Sequence, residues 1–297
     1  MSIEELNVDS FDAAVSTFGF NTDRWNQESI SIALVNSTAP NRIERVVENA
    51  MKETSSEADR FFSLIDPKAV IPPHTSWNAK ARTLAFETTG KDLLQGRIGG
   101  INGIGNLLED AVKHATFLSN AAGDYKVEWV YNSSHSAPLD IALAILINYK
   151  GSSANRKLLR ENWLRFHEEH ANDPDAKYMQ FCHSQGAVAV KLELAALPKE
   201  IRDRIIVVAL APAAIIPQSL CFESYNYSSK RDPVPYGEIA ADLVFTPLKT
   251  FQDLKDFKEL ILLDPHPEAP FFDHAFNSPT FAKIIAEHIE KFIKSYG

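Results

Sequence analysis

Residues 181–186 read FCHSQG, and this stretch decides the fold. It follows the strand-like run 177–180 and precedes the helix-like run 187–194. A strand, a tight turn around a serine and then a helix predict a nucleophile elbow with Ser184 at its tip. Strand and helix approach closely there, so small residues are needed two positions before and after the serine. Gly186 meets this need, and Cys182 stands where glycine is usual. A plain buried turn is the alternative interpretation.

The chain on both sides of this turn alternates between strand-like and helix-like segments. Apolar patterning predicts strands at 82–86, 97–101, 127–131, 177–181, 205–210, 222–227 and 260–263. Helices are predicted at 140–147, 157–170 and 187–197, with a last helix that Ser278 caps and Pro279 begins. A further helix should bury one face, made of Leu107, Leu108, Ala111, Val112, Ala115 and Leu118. This alternation is typical of an α/β fold with a doubly wound, mostly parallel sheet.

Residues 1–80 read differently from the rest of the chain. They contain one helix-spaced apolar stretch and then several prolines, so we expect a partly helical N-terminal extension or cap. Residues 81–297 would form the sheet-containing domain.

Composition restricts the partners. The net charge of −9 argues against nucleic acid and anionic membrane surfaces, which reward basic patches. No apolar run reaches the roughly 20 residues that a bilayer requires, and no positive segment precedes an apolar one near the N-terminus. We therefore expect no integral membrane segment, and a protein that is cytoplasmic or exported without a signal peptide. Two cysteines, one of them in the turn, favour a reducing compartment.

No cofactor or metal is expected. The glycines near residue 103 match neither the dinucleotide nor the P-loop spacing. His167 and His170 lack the H-E-x-x-H spacing that places two histidines one helical turn apart around a glutamate.

A serine nucleophile needs a base, and an acid to orient that base. Asp232 is the acid predicted, in the stretch SKRDPVP at 229–235, where two prolines would stiffen the loop; Asp264 is its rival. His274 is the base predicted, between the last strand and the last helix, and His266 is the alternative. A histidine that is simply packed among phenylalanines is the structural alternative.

The same chemistry needs two backbone N–H groups to bind a developing oxyanion. We expect one from Gln185, directly after the serine. The other should come from the loop 102–106, at Gly103 or Ile104, where glycine allows close approach.

With these residues in the order Ser, Asp, His, the region from about residue 82 onward resembles the α/β-hydrolase superfamily. The segment 229–235 looks like the Asp-Pro-Val-Pro loop of some triacylglycerol lipases, in which that Asp is the triad acid. The stretches around residues 103–111, 182–186 and 273–279 are also similar to a family of unknown function from chlamydia-like bacteria. The superfamily resemblance implies a hydrolytic triad. Two positions depart from the superfamily pattern. Cys182 stands in place of a glycine, and Asn102 stands in place of the histidine that precedes the oxyanion-loop glycine.

These observations lead to a serine hydrolase that cleaves an ester or thioester through an acyl-enzyme. The apolar residues Phe271, Phe272 and Phe276 beside the predicted base favour a small-molecule acyl substrate over a peptide. A catalytically inactive relative, serving as a binding protein or bacterial effector, and an acyltransferase with the same triad are the alternatives.

Overall fold

The structure is a computed structural model and describes residues 83–103, 106–132, 153–232, 234–235 and 258–297. One seven-stranded sheet runs through this part of the chain. Its strands are β1 (Leu84–Glu87), β2 (Gly96–Ile101), β3 (Val127–Tyr131), β4 (Lys177–His183), β5 (Ile205–Leu210), β6 (Glu223–Ser229) and β7 (Leu260–Leu263). The predicted bounds of the third, fifth and seventh strands match these, and the others differ by one to two residues at an end.

The order across the sheet is β1-β3-β2-β4-β5-β6-β7. Every neighbouring pair is parallel except β1 and β3, which run antiparallel. This confirms the predicted α/β class with a mostly parallel sheet. The carboxyl ends of β2, β4 and β6 meet at one edge, which is where such sheets bind their ligands.

Helices cover both faces of the sheet. They are α1 (Leu108–Ala122), α2 (Ser153–Glu169), α3 (Gly186–Ala196), the short α4 (Lys199–Arg202) and α5 (Pro279–Tyr296). Helices α1 and α5 pack on one face, and α2 and α3 pack on the other. Ser278 caps α5 by accepting a hydrogen bond from the Thr280 amide, and Pro279 is its first residue, as predicted.

Strand β5 is apolar throughout because both of its faces are buried. Ile206, Val208 and Leu210 point into the layer beneath α1 and α5. Ile205, Val207 and Ala209 point into the layer beneath α2 and α3. A parallel strand buried on both faces needs an apolar residue at every position.

Helix α1 corrects one prediction. Its buried face carries Ala111, His114, Ala115 and Leu118, whereas Leu107, Leu108 and Val112 are exposed. His114 belongs to the buried stripe because its ring packs on Phe276 at a centroid distance of 4.8 Å. The predicted face left out His114 and included three residues that are exposed.

Two predicted regions, the extension at 1–80 and the helix at 140–147, lie outside the described residues. In the part of the chain that the structure describes, no helix combines the length and apolarity needed to cross a bilayer.

Candidate active site

Ser184 sits in a strained turn between β4 and α3. Its backbone φ is 50°, in the left-handed region that residues other than glycine rarely adopt. The turn is held by three backbone hydrogen bonds: the Ser184 amide donates to Leu210 O at 3.2 Å, and its carbonyl accepts from the amides of Ala187 and Ala213 at 3.0 Å each. Strain of this kind persists only where the surroundings fix it.

The residues two before and two after Ser184 meet different spatial demands. A Cβ on Gly186 would lie 2.9 Å from the Asn102 carbonyl oxygen and 3.0 Å from that of Ile101, so only glycine fits. Cys182 instead points into the core beneath α2 and α3, where its side chain is fully buried. Burial raises the pKa of its thiol, which therefore stays neutral. The departure from glycine at residue 182 thus fits the turn.

Asp232 and His274 form a buried pair. His274 Nδ1 lies 3.0 Å from Asp232 Oδ2, and both side chains are at most 3% exposed. The carboxylate also accepts from the Val234 amide at 3.0 Å and from Ser228 Oγ at 3.4 Å. With Nδ1–H donating to the carboxylate, the second ring nitrogen, Nε2, is in the form that accepts a proton.

The two rivals named from the sequence have other partners. Asp264 Oδ1 accepts from Lys230 Nζ at 2.6 Å in an ion pair in which both side chains are about 40% exposed. The amide of His266 donates to Thr280 Oγ1 at 2.9 Å, and its ring Nδ1 accepts from the Glu268 amide at 3.2 Å. Each of the two residues therefore has partners other than the three candidate residues.

Ser184 Oγ is buried, and it makes no hydrogen bond with any described residue. The Asp–His contact is therefore formed in this structure, whereas a hydrogen bond between the serine and His274 is not. In enzymes without substrate such serine–base contacts are often long and tighten only when substrate binds.

His183 connects the serine turn to the loop that carries His274. Its Nε2 lies 2.6 Å from the His274 carbonyl oxygen, and the two rings pack at a centroid distance of 4.8 Å. A carbonyl only accepts, so Nε2 carries the proton in this contact. His183 therefore supports the loop that carries His274.

The loop after β2 reaches the serine directly. A Cβ on Gly103 would lie 2.7 Å from Ser184 Cβ and 3.0 Å from His183 Nδ1. Apart from the hydrogen bonds within helices and strands, the amides of Gly103 and Gln185 donate to no backbone carbonyl of the described residues. Both residues lie beside Ser184. Ile104, the other donor predicted in this loop, lies outside the described residues.

A network of four buried amide side chains surrounds this loop, and sequence reasoning missed it. Asn102 and Asn132 follow directly at the carboxyl ends of the neighbouring strands β2 and β3, and hydrogen bonds join them to each other. Asn132 also contacts Gln185 and Asn155. The one sequence signal was an asparagine near the end of each of two neighbouring strands.

The three phenylalanines near His274 differ in their surroundings. Phe276 is fully buried and packs edge-on against Trp129, at a centroid distance of 5.6 Å, so it belongs to the core. Phe271 is 87% exposed. The Phe272 ring lies beside His274, with the two ring centroids 5.6 Å apart, and the Phe276 ring also contacts that of His183 at 6.0 Å. The interpretation of these phenylalanines as substrate neighbours stays a prediction.

A small apolar cluster surrounds Phe272. It contains Ala213 and Val234, with the partly buried Val188 packed against it. These residues reach the site from different elements. The Ala213 amide donates to the Ser184 carbonyl, and the Val234 amide donates to Asp232. Val188 lies in the first turn of α3. The wall beside the three candidate residues is therefore apolar.

Comparisons with known proteins identify no close relative. No family model matches the chain, and no curated protein matches it. Three solved structures illustrate the similarity in fold. An α/β serine hydrolase without lid from Xanthomonas campestris is 15% identical, covers 71% of this chain and 94% of its own, and has a TM-score of 0.37. Carboxyl esterase 2 from Tuber melanosporum is 14% identical, with coverages of 72% and 82% and a TM-score of 0.41.

An S-formylglutathione hydrolase from Agrobacterium tumefaciens is 10% identical, with coverages of 72% and 90% and a TM-score of 0.41. With TM-scores below 0.5, these likenesses add no argument about activity. The likeness to the chlamydia-like family stays a prediction. The assignment of the fold rests on the order and direction of the seven strands, and that of the site on the contacts of its own residues.

Proposed function

We propose that this protein is a serine hydrolase that cleaves an ester or thioester, with Ser184 as nucleophile, His274 as general base and Asp232 as the acid that orients it. The observation that carries the proposal is the buried 3.0 Å contact between Asp232 and His274, set beside a serine in a left-handed turn. A buried carboxylate fixes the tautomer of the imidazole and stabilises the imidazolium that forms during attack.

In the acylation step, Ser184 Oγ forms a bond to the substrate carbonyl carbon, and its proton moves to His274 Nε2. The tetrahedral intermediate carries the negative charge on the former carbonyl oxygen. When it collapses, the bond from carbon to the alcohol oxygen or thiol sulfur breaks. The leaving group takes the proton from Nε2, and the acyl group stays on Ser184.

Deacylation repeats these steps with water. A water oxygen attacks the acyl carbon while its proton moves to His274 Nε2. The bond to Ser184 Oγ then breaks, the oxygen recovers that proton, and a carboxylic acid leaves. In both steps the amides of Gln185 and Gly103 would bind the oxyanion, with Ile104 as the further donor expected from the sequence.

The apolar wall supports an acyl substrate over a charged one. The cluster of Val188, Ala213, Val234 and Phe272 places aliphatic and aromatic carbon beside all three proposed catalytic residues. Desolvating a charged substrate group against such a surface would be costly, whereas an acyl chain gains free energy by burial there.

Pre-steady-state hydrolysis of a p-nitrophenyl ester tests this function. We expect a burst of p-nitrophenol close to one equivalent of enzyme, because acylation releases the phenol before the acyl-enzyme is hydrolysed. The Ser184→Ala variant should show no burst and no turnover above buffer. An equal rate for the variant and the wild type would overturn the proposal and favour a protein that only binds a partner.

A further inference from the structure

The amide network beside the serine turn begins with a reciprocal pair. Asn102 Nδ2 donates to the Asn132 carbonyl at 3.0 Å, and the Asn132 amide donates to Asn102 Oδ1 at 2.9 Å. Asn132 Nδ2 in turn lies 3.4 Å from the Asn102 carbonyl oxygen. The two ends of β2 and β3 are therefore joined by three hydrogen bonds between just two residues.

Asn132 extends this pair to the serine turn. Its Nδ2 also donates to Gln185 Oε1 at 3.0 Å, and its Oδ1 accepts from Asn155 Nδ2 in α2. All four amide residues are at most 6% exposed. Every polar group of the Asn132 side chain thus has a partner, and a buried group bonded on all sides has one orientation.

The bonds of Asn132 fix the direction of the Gly103 amide. The peptide unit between Asn102 and Gly103 is planar and trans, so its N–H points opposite to its C=O. Asn132 Nδ2 holds the Asn102 carbonyl, and Asn102 Nδ2 holds the Gly103 carbonyl at 2.8 Å. A Cβ on Gly103 would lie 2.7 Å from Ser184 Cβ, so the loop that these bonds hold lies directly beside the serine.

We infer that Asn132 is a positioning residue that aligns the two halves of the oxyanion hole. One of its bonds orients the Gly103 N–H through the Asn102 carbonyl, and the other holds Gln185, whose own N–H is the second donor. The inference rests on the proposed hydrolase function. Asn132 itself touches no substrate atom in this scheme and acts only through these two residues.

The test compares two substitutions that each remove a buried amide from the same sheet. Asn132→Leu removes the three hydrogen bonds of the Asn132 side chain and keeps those of its backbone. Gln180→Leu is the matched control: Gln180 lies within β4, is 1% exposed, and bonds Trp163 Nε1 at 3.1 Å and the Phe181 carbonyl at 2.7 Å. Both variants lose a buried amide of the fold, but only the first changes the surroundings of the oxyanion hole.

The readouts are kcat and KM for a p-nitrophenyl ester, and inhibition by an alkyl trifluoromethyl ketone. That ketone adds Ser184 Oγ and leaves an oxyanion in the hole. Complete loss of one oxyanion donor typically lowers kcat by about 10²–10³-fold. A misaligned donor still binds the oxyanion in part, so we expect a smaller loss, of about 10–100-fold. For Asn132→Leu we expect that loss in kcat with KM nearly unchanged, and an inhibition constant raised by a similar factor.

Wild-type kcat and inhibition in a folded Asn132→Leu variant would overturn the inference, as would an equal loss in Gln180→Leu. If Asn132→Leu does not fold, Gln185→Met gives the answer, because it removes the acceptor of Asn132 Nδ2 and keeps the backbone N–H. It should lower kcat by about 10-fold, and wild-type kcat there would refute the inference. A folded wild-type protein that neither hydrolyses the p-nitrophenyl ester nor reacts covalently at Ser184 would instead refute the hydrolase function itself.

Discussion

Gly103→Ala places a methyl group where the structure has no room for one. The new Cβ would lie 2.7 Å from Ser184 Cβ and 3.0 Å from His183 Nδ1. Two carbon atoms at optimal contact are about 3.5–4.0 Å apart, so the serine and the loop must separate by about 1 Å. The strained serine turn is held by its three backbone bonds, so we expect the loop of Gly103 to move.

This displacement should affect catalysis more than stability. A shift of about 1 Å in a reacting group can cost about 10²-fold in rate, and loss of one oxyanion donor costs about 10²–10³-fold. We therefore expect kcat for a p-nitrophenyl ester to fall by about 100-fold or more. Overpacking by one methyl group should lower the free energy of unfolding by about 1–3 kcal/mol.

Gly96→Ala is the control, because Gly96 begins the same strand at its amino end. Its Cβ would lie 3.0 Å from the Phe292 ring and 3.1 Å from Tyr296 Cβ, far along β2 from the serine. It should lower the melting temperature and leave kcat unchanged. Urea unfolding and steady-state kinetics on both variants measure the two effects. Wild-type kcat in a folded Gly103→Ala variant would refute the placement of this loop in the oxyanion hole.

Three further predictions concern single side chains. His274→Ala should lower kcat by about 10⁴-fold while the circular dichroism spectrum stays native, whereas His266→Ala should leave kcat unchanged. The reverse result would identify His266 as the general base. Asp232→Asn should lower kcat by about 10²–10⁴-fold, because the amide favours the wrong imidazole tautomer. Asp264→Asn only breaks an exposed ion pair, so equal kcat values in the two variants would refute the role of Asp232. Burial lowers the pKa of His288 from 6.5 to about 4, so the stability that it contributes as a neutral group is present above pH 6.5 and lost as the pH falls toward 4. Urea titrations at pH 7 and pH 4 should differ by about 3 kcal/mol through this residue, and His288→Gln should abolish that part of the difference.

The sequence was sufficient for the elements whose signal is local. Strand β5 is apolar at every position because both of its faces are buried. The start of α5 is predicted by Ser278, which caps the helix, and by Pro279, its first residue. The turn at Ser184 could be placed because a small residue must follow two positions later. These features depend on neighbours within a few residues, so a single sequence contains them.

Features that depend on distant partners could not be predicted in the same way. The face of α1 was misplaced because His114 is buried by packing on Phe276, which lies more than 150 residues away. The bond between Asn132 and Gln185 spans 53 positions, and an asparagine after a strand is common at surface turns as well. Phe276 lies two residues from His274 in the chain, but proximity in the chain does not show that its ring is buried in the core.

Covalent labelling with a fluorophosphonate tests the central claim most directly, because such probes react with an activated serine whatever the natural substrate is. Intact-mass and peptide mass spectrometry should show one adduct per chain, located on Ser184. Ser184→Ala should remain unlabelled, and His274→Ala should react at least about 10³-fold more slowly than the wild type, because the serine has then lost its base. A folded wild-type protein that stays unlabelled, or that labels equally well without Ser184, would contradict the account.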